Sequence, residues 1–161
     1  MQSVSGRGAE PMTAGPIADG ELAGLFAGLT DFKAIGLAVS GGPDSTALMH
    51  LVNRWRSMAP APRAVVLTVD HGLRPQSIAE AEAVATAAAR LGLAAIVLRW
   101  TGDKPQTGVQ AAAREARTRL LSEAALAHGL DAIVTAHTVD DQAETLLMRL
   151  ARGSGLDGLA G

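Results

Sequence analysis

Hydrophobic positions in this chain of 161 residues fall into two kinds of stretch that take turns: short, nearly unbroken apolar runs, and longer alanine-rich segments with polar residues at helical spacing. The runs at 34–39, 64–69, 94–98 and 132–135 have strand length and little in-out alternation, as strands covered on both faces should. Between and after them the pattern predicts helices at about 45–56, 78–91, 109–127 and 140–152. The second opens on a capping-box signature, Ser77-Ile-Ala-Glu80, and ends near Gly92; the third ends near Gly129. Ahead of the first strand, Leu22, Leu25, Phe26 and Leu29 predict a short amphipathic helix over 21–29 that covers one edge of the core.

Strands alternating with crossover helices predict an α/β fold, a Rossmann-like doubly wound parallel sheet with helices on both faces. A strand order of 3-2-1-4 would make the first and fourth strands neighbours at the switch point, so that the loops after them share one crevice. The length fits one domain, and no internal repeat interrupts it. Residues 1–20, rich in Gly, Pro, Ser and Ala and without a secretory apolar stretch, are expected to be a flexible leader to a domain at 21–161.

Composition narrows the function. Hydrophobic residues are 48% and charged residues 19%, enough for a folded core, and no apolar run approaches the roughly 20 residues of a membrane helix. A cytoplasmic protein with no membrane partner is therefore expected. Cysteine is absent, which excludes thiolate metal sites, cysteine nucleophiles and a persulfide carrier within these residues. With only Phe26, Phe32, Trp55 and Trp100 as aromatics and a net charge of −2, neither a stacking platform nor whole-molecule attraction to nucleic acid is expected.

The strongest chemical signal is Ser40-Gly41-Gly42-Pro43-Asp44-Ser45, between an apolar run and a helix. Adjacent glycines let backbone amides approach an oxyanion, the serines can donate hydrogen bonds, and the helix turns its positive end toward the same point. It lacks the lysine of the GxxxxGK[ST] loop, which leaves polyphosphate charge to Mg²⁺, with Asp44 placed as a ligand.

Asp70 and His71 follow the second strand, and His137 with Asp140 and Asp141 follows the fourth, all at strand carboxyl ends where open α/β sheets bind ligands. One aspartate could simply cap the next helix; the cluster as a whole could hold Mg²⁺ and stabilise charge on a phosphate. On the third helix Gln110, Arg114 and Arg117 share a face, read as opposite a stripe of Ala112, Ala116, Leu120 and Ala124, and either arginine could clamp a phosphate. His50 is read as packing or solvated, His128 as complementing a helix dipole, and Met49, Met58 and Met148 as core or gap filling.

The hexapeptide resembles the SGGxDS loop of the N-type ATP pyrophosphatases, which implies an adenine nucleotide alpha hydrolase-like fold and adenylation by cleavage between the α- and β-phosphates. VDHGLR at 69–74, GVQAAAREAR at 108–117, AHTVDDQAET at 136–145 and RGSGLDGLAG at 152–161 extend the resemblance, over residues 34 to 161, to the tRNA(Ile)-lysidine synthetase family.

The resemblance implies ATP, Mg²⁺, L-lysine and tRNA(Ile) with a CAU anticodon as ligands and substrates, and a homodimer is carried as an expectation. It implies that Ser40, Gly41, Gly42, Pro43, Asp44 and Ser45 form the pyrophosphate loop and that Asp70 and His71 lie beside the adenosine. It further implies that Asp44, His137 and Asp141 serve the reacting phosphate, Asp44 and Asp141 through the metal, and that Arg114 holds the adenylate or substrate. The chain departs from the family at Thr138, where a second His is usual, and at Thr118, where a Tyr is usual. Family enzymes continue into tRNA-recognising domains, so the chain is expected to be an amino-terminal catalytic portion, weak on tRNA alone. Ammonia-using NAD or GMP synthetases, a tRNA thiolase and an ATP sensor without turnover are the competing readings.

Overall fold

The computed structural model describes residues 17–58 and 60–136. The helix expected at 140–152, Met148, His137, Asp140 and Asp141 lie outside them, as does most of the expected leader. A helix α1 (Asp19–Leu25) and a 3-10 turn (Ala27–Leu29) lead into β1 (Ala34–Ala38), α2 (Pro43–Arg56), β2 (Arg63–Asp70), α3 (Ser77–Arg90), β3 (Ala94–Arg99), α4 (Val109–His128) and β4 (Ala132–Thr135). The four strands pair in parallel in the order β3-β2-β1-β4. This is the expected doubly wound sheet, with each strand within two residues of its predicted bounds.

Every residue of β1 is buried, because β1 has a neighbour on both sides and helices over both faces. Ile35, Leu37 and Val39 pack with Ala64 and Val66 of β2 against Met49, Val52 and Trp55 of α2 and Val84 and Ala88 of α3. Leu22 and Phe26 close this layer, with the Phe26 and Trp55 rings 5.2 Å apart. The alternate residues Ala34 and Ala38, with Val65 and Leu67, face Leu121 and Ala124 of α4. The first two crossovers lie on one face and the third on the other. That change of face follows from β4 returning to the far side of β1, since parallel crossovers keep one hand.

Three local expectations are corrected. Ser77 does not cap α3: it is the first helical residue after Gln76 and its hydroxyl donates to Arg74 O (2.9 Å), while Glu80 pairs with Arg74. The buried row of α4 is Ala113, Ala116, Leu121 and Ala124, with Ala112 and Leu120 half-buried, so the polar trio flanks the stripe instead of opposing it. Met58 is 43% exposed just beyond α2, and Met49 is in the core.

Gly36, at the centre of β1, shows how tight the α4 layer is. A Cβ there would stand 2.9 Å from Leu67 Cδ1 and 3.1 Å from Leu130 Cδ1, and both leucines are buried. Replacing glycine in a strand normally gains about 0.5–1 kcal/mol of backbone entropy, whereas forcing a methyl into a packed core costs about 1–3 kcal/mol. Gly36→Ala is therefore expected to destabilise the chain by about 1–2 kcal/mol, read as a lower urea midpoint at unchanged m-value. A midpoint equal to or above the wild type would mean that the layer has slack.

Candidate functional site

The loop from Ser40 to Pro43 leaves the carboxyl end of β1 and becomes α2 without a spacer. Pro43 at the first helical position supplies a preset φ and gives up an N–H that would be orphaned anyway. The remaining first-turn amides, those of Gly42, Asp44 and Ser45, have no intrahelical acceptor by construction, since the ladder begins with Thr46 N donating to Gly42 O (3.0 Å). Gly41 has φ +88°, and a Cβ on it would meet Val84 Cγ2 at 3.3 Å, so glycine is required both by conformation and by the approach of α3.

One side chain closes the loop. The buried Ser45 hydroxyl donates to Gly42 O (3.1 Å), accepts from Ser40 N (3.2 Å) and lies 3.2 Å from Ser40 Oγ. The loop is thus shaped by its own residues, with amides unspent at the positive end of a 14-residue helix. Asp44, exposed in that first turn, carries the one carboxylate of the loop.

Two cavities border the loop. One of about 530 Å³ lies between α2 and α3 and is mostly apolar, with Met49 and Val84 in its wall. The other, about 460 Å³, straddles the carboxyl ends of β1 and β2 from α3 across to α4, and Ser40, Thr68, His71, Arg74, Gln110 and Arg117 contribute its polar wall.

The residues after β2 divide into one that faces this cavity and one that does not. Asp70 is buried and absent from the wall. Its Oδ1 accepts from Gly72 N (2.9 Å) in an Asx-type turn, and Arg99 Nε stands 4.0 Å from its other oxygen. The Ser77 hydroxyl and the Gly72 amide, aided by Arg99 and His71, hold its carboxyl below the usual range against the opposing effect of burial.

His71 lines the cavity. Burial pushes its imidazole below the ordinary value, Arg117 and Lys104 act in the same direction, and Asp70 opposes them. Its Nδ1 is buried without a hydrogen-bond partner. A proton there would orphan a buried N–H, so the hydrogen-bond environment assigns the proton of the neutral ring to Nε2.

Behind His71 stands a support that sequence reasoning missed. Trp100 meets the imidazole edge-on at 6.3 Å, and Lys104 lies over the indole at 4.2 Å while donating to Trp100 O (2.5 Å). Trp100 N in turn donates to Asp70 O (2.9 Å), tying the loops after β2 and β3 together. A tryptophan directly after an apolar strand, four residues before a lysine, was the available signal.

Arg117 and Gln110 border the cavity, whereas Arg114 is exposed and outside its wall. Among the described residues no group of three or more acidic or imidazole side chains gathers to hold a metal. A single carboxylate still suits Mg²⁺, which is commonly bound by one or two carboxylates together with substrate phosphates. Among the same residues no helix is long and apolar enough to cross a membrane.

A family model described as the PP-loop domain matches residues 18–161. The chain is 59% identical over 146 residues to a tRNA(Ile)-lysidine synthase of Bradyrhizobium diazoefficiens and 61% identical over 137 residues to one of Rhodopseudomonas palustris. These matches take in 90% and 84% of this chain; the chain spans about 40% of the length of the curated relatives it matches. A solved U34-tRNA thiolase from Methanococcus maripaludis superposes with a TM-score of 0.75 over 88% of this chain and 51% of that one, at 16% identity, a likeness of fold alone.

The imidazole carries a testable pH signature. An unfolded His71 takes up a proton near pH 6.5, whereas the folded one, facing Arg117 and Lys104, does so only at lower pH. The unfolded chain therefore binds more protons in that window and stability falls as pH falls through it. His71→Asn is expected to flatten the fall in Tm between pH 7 and 5 relative to the wild type. Parallel Tm profiles for the two proteins would contradict the assignment.

Proposed function

From the premise that the chain belongs to the PP-loop domain family, we propose that it binds ATP and forms the adenylating site of an enzyme that converts the wobble cytidine of tRNA(Ile) with a CAU anticodon to lysidine. The observation that carries this reading is the pre-shaped loop of Ser40 to Ser45, with its unspent amides, at the mouth of a cavity whose wall carries His71, Arg74 paired with Glu80, and Arg117. Identity near 60% to tRNA(Ile)-lysidine synthases supports the choice of substrate.

In this reading the Ser40 hydroxyl and the amides of Gly41, Gly42 and Ser45 take the β- and γ-phosphates, on a loop shape that the Ser45 hydroxyl holds. Such fixed donors need no reorganisation as charge builds on the departing pyrophosphate. The adenosine lies in the cavity beside His71, with Asp70 holding the turn behind it. Asp44 is the residue of the loop that would hold Mg²⁺, and the ion would there offset phosphate charge. His137 and Asp141, outside the described residues, complete the site.

The cytosine O2 forms a bond to the α-phosphorus as the bond to the pyrophosphate oxygen breaks. The ε-amine of L-lysine then forms a bond to C2 as the C2–O bond breaks, with loss of AMP and a proton. Arg114, on the outer side of the cavity wall, faces the tRNA and not the ATP. The absence of cysteine from these residues fits an amine as the nucleophile in place of sulfur.

The complete gene product, incubated with ATP, Mg²⁺, L-lysine and the CAU-anticodon tRNA, should release AMP, and omission of tRNA should abolish the release. AMP formed without tRNA, or with ammonia in place of lysine, would sink the reading; ATP binding without AMP would make the domain a sensor. Asp44→Asn should raise the Mg²⁺ needed for half-maximal AMP release by at least about tenfold, the scale of losing a supporting metal contact.

A further inference from the structure

The loop between β3 and α4 stays out of the cavity wall, yet it backs a residue that lines it. Trp100 directly follows β3, and its N–H donates to Asp70 O (2.9 Å), which carries the pairing of β2 with β3 one residue past the strand end. The chain then reverses at Gly102, whose φ of +89° favours glycine, and Lys104 comes back over the tryptophan. Its ammonium stands 4.2 Å from the indole centroid and donates to Trp100 O (2.5 Å). A Cβ on Gly72 would lie 3.8 Å from Trp100 O and 3.9 Å from Lys104 Cε, so the turn after His71 packs on this corner.

Each contact restricts a different freedom. The ammonium engages both the ring and the backbone carbonyl of one residue, so the indole could turn away only by forfeiting the cation that the carbonyl holds in place. The indole and imidazole planes meet at 89° with their centroids 6.3 Å apart, an edge arrangement that aromatic pairs favour. His71 is thereby held twice: its backbone lies between the Asp70 carbonyl bonded to Trp100 and the Gly72 amide bonded to Asp70 Oδ1, and its ring leans on the indole. Charge acts to the same end, since burial, then Arg117, and then Lys104 oppose protonation of the imidazole against the pull of Asp70. A ring fixed in place and uncharged suits the neutral adenosine moiety, because a charged ring would have to shed its water to pack there.

We propose that Trp100 and Lys104 are positioning residues of the nucleotide site, a two-layer backing that fixes the His71 imidazole in the cavity wall and so sets affinity for the adenosine moiety without touching it. The proposal rests on the nucleotide reading above and deepens it by giving the loop between β3 and α4 a share in that recognition. Neither residue is in the wall of either cavity, so both act through His71.

The test is calorimetry on the full chain with two probes: AMP, which carries the adenosine moiety, and inorganic pyrophosphate, which needs only the loop of Ser40 to Ser45. Lys104→Met keeps most of the stem and loses the charge and the donor. It should weaken AMP by about three- to tenfold, the range of an aromatic edge contact and a cation over a ring, and Trp100→Leu should do the same. Pyrophosphate should stay within about twofold in both variants, as expected for distant and independent sites. Lys104→Arg retains a cation that can lie over the indole and donate to the carbonyl, and should bring AMP back to within about twofold of the wild type. In a His71→Ala background, Lys104→Met should change AMP binding by less than about twofold, because the group through which it acts is gone.

An equal loss of AMP and pyrophosphate in Lys104→Met would make the role of the lysine a general structural one and overturn the assignment. So would the same loss of AMP with and without the His71 side chain. If the wild type does not bind AMP, the nucleotide reading falls and this assignment falls with it; AMP binding by the wild type that Lys104→Met and Trp100→Leu leave unchanged removes the assignment alone.

Discussion

The burial of β1 on all sides is the constraint on which the described structure depends. A strand with parallel neighbours on both edges and helices over both faces leaves little room for polar side chains, and Ala34–Ala38 carries none. Chemistry is thereby displaced to the residues beyond the strand's carboxyl end. Because β2 and β4 run parallel to it, the residues after each of them emerge at the same edge of the sheet. The α4 crossover then lies on the face opposite α2 and α3, and this brings Arg117 to the far wall of a cavity whose near wall is the loop of β1.

Polar residues at that edge fall into those that fix backbone and those left for a ligand. Ser45 and Asp70 are buried and spend their side chains on neighbouring amides and carbonyls, each holding a turn that would otherwise be free to rearrange. A net hydrogen bond contributes only about 0.5–1.5 kcal/mol, but the same group left unpaired when buried costs about 1–3 kcal/mol. The loop geometries are thus enforced more by the penalty of breaking them than by the gain of making them. His71, Gln110 and Arg117 are the complement: they line the cavity with donors or charge not matched by a carboxylate among the described residues. A rigid frame with unmatched groups facing inward is the form that preorganised binding takes.

Apolar runs predicted the strands well, and β4, only partly covered, matches its expected bounds to the residue; the strand order follows from the doubly wound fold class. Glycine spacing likewise marked the tight loop between β1 and α2, where Gly41 has φ +88°. What the residues did not disclose depended on rotation and partners. Ser77 and Glu80 have the spacing of a capping box, but Arg74, in the preceding loop, engages both. Asp70 and His71 are adjacent in a strand-end segment, so their side chains diverge, and only one meets the cavity. Arg114 and Arg117 lie within about 60° of each other around α4, and a spacing argument cannot say which side of the stripe is covered. The contact of α4 with β2 and β3 decides it.

Charge makes the same point about locality. The chain as a whole is slightly acidic, so it exerts no general pull on a polyanion. Several of its cations are already engaged: Arg54 with Asp19, Arg74 with Glu80, Arg119 with Glu123, Arg63 with the His128 carbonyl and Lys104 with the Trp100 carbonyl and ring. Exposed pairs of this kind contribute about 0–1 kcal/mol each. Their larger effect is on the surface potential, since each neutralises a charge that would otherwise compete for the ligand. On the nucleotide reading, an acidic ligand approaching this domain would meet little attraction until it reached the carboxyl edge of the sheet. There the α2 amides and the Arg117 guanidinium present positive charge in a partly water-excluded space, where it counts for more than in open solvent. On that reading the position of the phosphates would be set by where charge is left unmatched among the described residues, and that is a property of the fold and not of the composition.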